Sequence, residues 1–152
     1  MNKKMILAAC AVLFVINMII LTGGCGNSLE ISLPDDPMEF ATYQYVNPDN
    51  SEDSYMAFSY NDRTYISYGT PNGNISKQDI AECLGYIVQE GVAKEDQLVV
   101  RLAEDLNCNC LMIYYANGGM QDPVFYRAID TKDKEINTPS FVKSFSYEYW
   151  KE

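Results

Sequence analysis

Ser54-Tyr55-Met56-Ala57-Phe58-Ser59-Tyr60 and Thr64-Tyr65-Ile66-Ser67-Tyr68-Gly69 flank Asn61-Asp62-Arg63, and this stretch decides the fold. Two Tyr-rich runs around a tight Asn-Asp turn are a hairpin signal. Tyr and β-branched residues favour pleated, half-buried surfaces, so the same composition marks strands elsewhere. Upstream, residues 40–46 read as a strand entering the turn-rich segment 47–53. Downstream, residues 97–102 read as a strand with Leu98, Val100 and Leu102 on one face. Segments 110–116 and 124–129 follow as strands joined through 117–123. Residues 131–134 form a charged turn and 139–143 one helical turn. A last strand over 144–150 alternates Phe145, Tyr147 and Tyr149.

One segment carries two signals. Ile80, Cys83, Leu84, Ile87 and Val88 fall at helical spacing, and Ser76 with Asp79 has the spacing of a capping box. Against one long helix stand Gly85, which costs about 1 kcal/mol relative to Ala, and the strand-favouring Tyr86-Ile87-Val88. The pattern predicts a short helix over 76–84 and a strand over 85–89; a single helix to residue 90 is the alternative. The expected fold is mainly β (α+β). It is a small antiparallel sheet or open barrel-like domain with one short helix, preceded by a signal-peptide helix.

The address is written in the first 25 residues. Lys3 and Lys4 precede an uncharged, mostly apolar run from 5 to 21. As a helix that run spans roughly 26 Å, slightly less than a bilayer's hydrocarbon core. It reads as an export signal or a short anchor. The next residues are Leu21-Thr22-Gly23-Gly24-Cys25. They resemble a lipobox, the recognition site of bacterial lipoprotein signal peptidase. Gly23 and Gly24 match the small residues before the modified cysteine, and Thr22 stands where the pattern prefers Leu. The resemblance implies that Cys25 carries diacylglycerol and becomes the mature N-terminus. Two acyl chains give stable anchoring where one gives only marginal binding. The chain then divides into a signal peptide (1–24), lipidated Cys25 with a flexible tether (25–39), and one extracytoplasmic β-rich domain (40–152). The Pro- and Asp-containing segment 26–39 would reach at most about 46–50 Å, lifting the domain off the membrane; a short edge strand at Ile31 and Leu33 is the alternative.

Charge narrows the partners. The chain has 152 residues, 11 Lys+Arg, 21 Asp+Glu and no His; from Cys25 on it holds 9 basic and 21 acidic groups, a net charge of −12. Nucleic-acid binding needs clustered Lys/Arg and is not expected. The absence of His excludes Ser-His-Asp and Cys-His catalysis and His-ligated metal sites. Neither a cofactor nor a metal is expected, because Cys108-Asn109-Cys110 offers too few ligands for zinc. Asn47, Asp49, Ser51 and Asp53 lack the central Gly and the twelfth-position Glu of a calcium loop. Glu104-Asp105 and Asp35-Asp36 read as solvated pairs.

The domain's three cysteines leave at least one free thiol. A disulfide would join Cys83 to Cys108 or Cys110, and unpaired structural thiols are the simpler expectation. Tyr is the more suggestive residue, with all 12 lying in the mature part and in both phases of several strands. A small domain is not expected to bury them all. Tyr60, Tyr65, Tyr114 and Tyr147 are therefore candidates for an aromatic binding face, though Tyr that merely covers a two-layer sheet fits equally.

A wider resemblance involves Asp79 to Val88, Leu111-Met112-Ile113-Tyr114-Tyr115 and Phe125 to Asp130. These runs look like small uncharacterised lipoproteins of Gram-positive bacteria. Lantibiotic-immunity lipoproteins are similar in plan, with a lipidated cysteine, a tether and a small β-rich domain. These resemblances imply membrane anchoring through acylated Cys25 on the extracytoplasmic face. The expected function is binding, with a cationic peptide or a partner protein as ligand and no enzymatic activity. The alternatives are immunity by sequestering a cationic antimicrobial peptide, and an envelope hydrolase using carboxylates.

Overall fold

Asn61 and Asp62 both take positive φ, 48° and 60°, the backbone of a two-residue type I′ turn. The turn joins β3 (Asn50–Tyr60) to β4 (Arg63–Pro71) with Tyr60 opposite Arg63, so the hairpin forms where the sequence places it. The computed structural model describes residues 29–116 and 122–151. Its other strands are β1 (Met38–Phe40), β2 (Tyr43–Asn47), β5 (Ile80–Ile87), β6 (Gln97–Leu102), β7 (Cys110–Tyr115), β8 (Val124–Ala128) and β9 (Val142–Ser144). They form one sheet in the order β1-β5-β6-β7-β8-β4-β3-β2, with β9 added beside β4. Every pairing is antiparallel except β1 with β5. The two end strands are joined only by Ala41 and Thr42. The sheet therefore curls into an open half-barrel, and the Phe40 ring on β1 meets the Phe58 ring on β3 at 5.6 Å.

Both faces of the curled sheet are covered, which accounts for the consecutive apolar residues Leu98-Val99-Val100 of β6 and Cys110 to Ile113 of β7. Inside lie Phe40, Phe58, Tyr65, Val99, Leu111, Ile113 and Tyr126. On the outer face, Leu98, Val100, Leu102, Met112 and Phe125 are roofed by Ile31 and Leu33 from the N-terminal side and by Ile136 and Phe141 from the C-terminal side. Farther along that face, Tyr55, Ala57 and Ile66 lie under Tyr147, Tyr149 and Trp150.

Four sequence expectations change. The helix over 76–84 does not form; the capping box closes only a three-residue 3-10 turn, Lys77–Asp79, where the Asp79 carboxylate accepts from the Ser76 N–H and hydroxyl. Among the described residues all helical segments are such short 3-10 turns. The helical spacing of Ile80, Cys83, Leu84 and Ile87 belongs to one strand. Ile80 and Cys83 face the outer core while Leu84 and Ile87 face the inner one. The register shifts at 80/82 and 83/85 stretch the same-face step within each pair from two to three, so the two faces together read as a helical stripe. The last strand is likewise displaced: Val142–Ser144 pairs with β4, while residues 145–150 cross the outer face and end in the 3-10 turn Glu148–Trp150. The segment read as a strand over 40–46 is two strands, broken at Ala41-Thr42 so that each half serves a different edge.

The fourth change concerns the tether. From Leu29 to Glu39 the chain is laid against the domain. Ile31 and Leu33 pack on the outer core, and Met38–Phe40 pairs with Gly85, Tyr86 and Ile87. The signal segment and Leu21, Thr22, Gly23, Gly24 and Cys25 lie outside the described residues.

Candidate functional site

The four tyrosines singled out by sequence do not share a face. Tyr65 is fully buried in the inner core and donates its hydroxyl to the Cys108 carbonyl at 2.7 Å; Tyr60 packs against that same core. Tyr114 belongs to the outer core and donates to the Leu29 carbonyl at 2.9 Å. Tyr147 packs edge-on against Tyr55 at 5.4 Å. Tyr lies in both phases of the strands because the curl buries one face and the two terminal segments bury the other. Tyr60, Tyr65, Tyr114 and Tyr147 therefore do not come together as one aromatic surface.

Burial raises the pKa of the Tyr65 hydroxyl and pushes that of Tyr126 up to about 12. Stability therefore depends on pH with a definite sign. The fold holds these phenols neutral, whereas the unfolded chain ionises them near pH 10. Their contribution is complete below about pH 10 and is lost as pH rises toward 12, roughly 2–3 kcal/mol for Tyr126. With no His, no side chain has an ordinary pKa between 5 and 8. Thermal unfolding followed from pH 6 to 12 should give a flat midpoint to about pH 8, a decline from about pH 9 as the buried Cys110 thiol ionises in the unfolded chain, and a steeper fall above 10 as the phenols join it. A fall already complete by pH 9 would count against the buried-phenol assignment.

Cys83, Cys108 and Cys110 are all free thiols, so the structure contains neither of the cross-links that sequence offered. Cys83 is half-buried on β5, where burial raises its pKa. Cys110 is sealed beneath the outer core, and burial pushes its thiol up to about 12. Cys108 takes φ of 50° in the loop before β7. In the acidic turn, Asn47 Oδ1 accepts from the Asp49 N–H and Asn50 Nδ2 donates to Asp53, so these polar groups are used by the loop itself. Among the described residues no cluster of three or more His, Cys, Asp or Glu could hold a metal.

A polar concavity lies at the pole of the half-barrel that carries the β3–β4 turn. It is a cleft of about 440 Å3 between the 104–109 loop and the 130–137 segment. Arg63, the residue just after the turn, builds one wall. Its Nε and Nη2 reach Asp130 at 3.0 Å, Nη1 donates to the carbonyls of Asn107 and Cys108 at 2.9 Å, and Nη2 also donates to Asn109 Oδ1 at 3.2 Å. Four guanidinium hydrogens are donated in hydrogen bonds and the remaining Nη2 hydrogen lies beside the paired Asp130 carboxylate, so Arg63 acts as a brace and has little left to offer a ligand. Asp105 is the second brace. It is buried, not solvated as its sequence suggests, and its carboxylate accepts the Cys110 N–H where β7 begins.

What the cleft presents outward is acidic and partly apolar. Of the four carboxylates in its lining, Asp105 is buried and Asp130 is paired with Arg63, so Glu104 and Glu135 are the two it offers to a ligand, with Lys134 the unbraced cation among them. Leu106, 84% exposed, sits on the rim, and Ile136 is half-buried beside it. Such a cleft draws a cation and gives an aliphatic side chain something to rest on. Sequence reasoning missed it because its two walls come from segments more than twenty residues apart and are joined by Arg63, an ordinary hairpin residue forty or more residues upstream of both. The exposed Leu106 between Asp105 and Asn107 was the one local signal. No protein-family profile, no curated protein and no solved structure matches this chain.

Proposed function

We propose that this chain is a membrane lipoprotein, acylated at Cys25, whose domain binds a cationic peptide segment or a basic protein surface outside the cell. The observation that carries the binding reading is the cleft at the hairpin pole. There Glu104 and Glu135 flank the exposed Leu106, and the walls are fixed by the Arg63 brace. A pre-formed cleft costs little ordering on binding. The net charge of −12 adds long-range attraction for a basic partner, which salt screens over a Debye length of about 8 Å.

Titration calorimetry with a short Lys/Leu peptide tests this. Affinity should fall several-fold between low and physiological salt and again in a Glu104→Gln/Glu135→Gln double variant, whose fold should be unchanged because both side chains are exposed. Equal affinity for a neutral peptide of the same length, or an unaltered double variant, would move the binding site elsewhere.

A further inference from the structure

The docked N-terminal segment fixes how the domain sits on a membrane. If 26–39 were all tether, the domain would float up to about 50 Å away. The chain is instead held from Leu29 onward: the Leu29 carbonyl accepts the Tyr114 hydroxyl, and Ile31 and Leu33 cover the outer core. Between Cys25 and Leu29 are four residue steps, which can span at most about 13–14 Å whatever their conformation. Leu29 lies beside the C-terminal end of β7, on the rim of a cleft of about 930 Å3 shared with Asn74, Ile75 and Pro123. Cys110 starts β7 at the other end, roughly 17 Å away, next to the 104–109 loop.

We propose that the pole formed by Leu29 and the 71–77 loop rests against the headgroup layer of the bilayer holding the acyl chains. The Arg63–Leu106 pole then faces away from the membrane. This rests on the lipid-anchor reading and adds an orientation to it. Leash length sets the pose and electrostatic attraction does not, because the near pole offers Lys77 against Glu30 and Asp122. Repulsion between the acidic domain and an anionic leaflet is largely screened beyond about 8 Å at physiological salt, so it does not overcome the leash. The consequence is functional: the acidic cleft opens toward ligands arriving from outside, and the near pole is shielded by lipid.

The test uses the acylated full-length protein reconstituted into phosphatidylcholine/phosphatidylglycerol vesicles with nitroxide-bearing headgroups. A coumarin-bearing amino acid is placed at Asn74 or at Leu106, both exposed. Flotation with the vesicles reports anchoring, and quenching reports orientation. Quenching at Asn74 should exceed that at Leu106 several-fold and persist at high salt. Inserting twenty Gly/Ser residues between Asn27 and Ser28 should remove the difference. Protein that floats but is quenched equally at both sites, or more at Leu106, overturns the orientation and leaves the anchor intact. Protein that does not float overturns the anchor reading and the orientation with it.

Discussion

Arg127→Ala should lower the stability of the folded domain by roughly 4 kcal/mol and its thermal midpoint by roughly 15 °C. Arg127 lies on β8 facing the outer layer and is only 8% exposed. It has no ion pair among the described residues. Its charge is solvated by the protein in two other ways. The guanidinium carbon sits 5.2 Å from the Tyr68 ring centre and 4.8 Å from that of Trp150, each cation–π contact contributing about 0.5–2 kcal/mol. Its nitrogens donate to Thr131 Oγ1 at 2.8 Å and to the carbonyls of Thr131 and Lys134 at 2.7 and 3.3 Å. Truncation takes one charge-assisted hydrogen bond from each of those oxygens, about 1.5–3 kcal/mol apiece at most, although the Thr131 carbonyl keeps the Lys134 N–H and the Thr131 hydroxyl keeps the Ala128 carbonyl. It also loosens Trp150, which keeps its Nε1–H to the Ser67 carbonyl at 3.0 Å and edge-on packing against Tyr68 and Tyr149.

Arg127→Lys should recover only part of the loss, because an ammonium cannot lie flat between two rings while reaching both carbonyls. Trp150 is the protein's single tryptophan, so its emission reports the outer layer directly during thermal or urea unfolding. A loss below 1 kcal/mol would mean that the C-terminal segment is not held by this side chain.

Gly85→Ala should destabilise the domain by roughly 3 kcal/mol, and the sign of that effect is as informative as its size. A methyl group at Gly85 would lie 2.0 Å from the Met38 carbonyl oxygen and 2.6 Å from its nitrogen, both backbone atoms. β1 would have to leave β5, taking Phe40 out of the inner core, where it meets Phe58 and Tyr60. Burying a Phe is worth about 1.5–3 kcal/mol, to which the lost strand hydrogen bonds add. Were the segment a helix, as its apolar spacing suggests, the same change would stabilise it by about 1 kcal/mol. Hydrogen exchange gives a local readout, since the Val88 N–H donates to the Phe40 carbonyl at 2.9 Å and should exchange faster once β1 is displaced. Unchanged protection at Val88 with raised stability would favour the helical reading.

What could be read from the sequence was what local physics determines. The hairpin at 54–69 depends on two adjacent residues tolerating positive φ, and β6, β7 and β8 are near-continuous apolar runs. The misreadings share a cause in long-range packing. Leu84 and Ile87 looked helical because two bulges shift the phase of a strand. Ile31 and Leu33 looked like tether because their partners, Leu98 to Met112 on the outer face, are seventy residues away. The tyrosines looked too numerous to bury because nothing local shows that both chain ends fold back over the sheet. For the same reason the acidic cleft was invisible. Asp105 and Glu104 are neighbours in sequence, yet one braces β7 and the other faces solvent, and it takes the long-range bonds from Arg63 and Tyr65 to Asn107 and Cys108 to bring the loop into place.

The central claim, an acidic β domain held to the membrane by lipid on Cys25, is tested most directly by labelling the expressing bacterium with palmitate. The full-length chain should incorporate label and yield a mature protein whose mass begins at diacylglycerol-modified Cys25. Cys25→Ser should lose the label and retain the signal segment. Label persisting in Cys25→Ser, or a mature N-terminus other than Cys25, would contradict the claim.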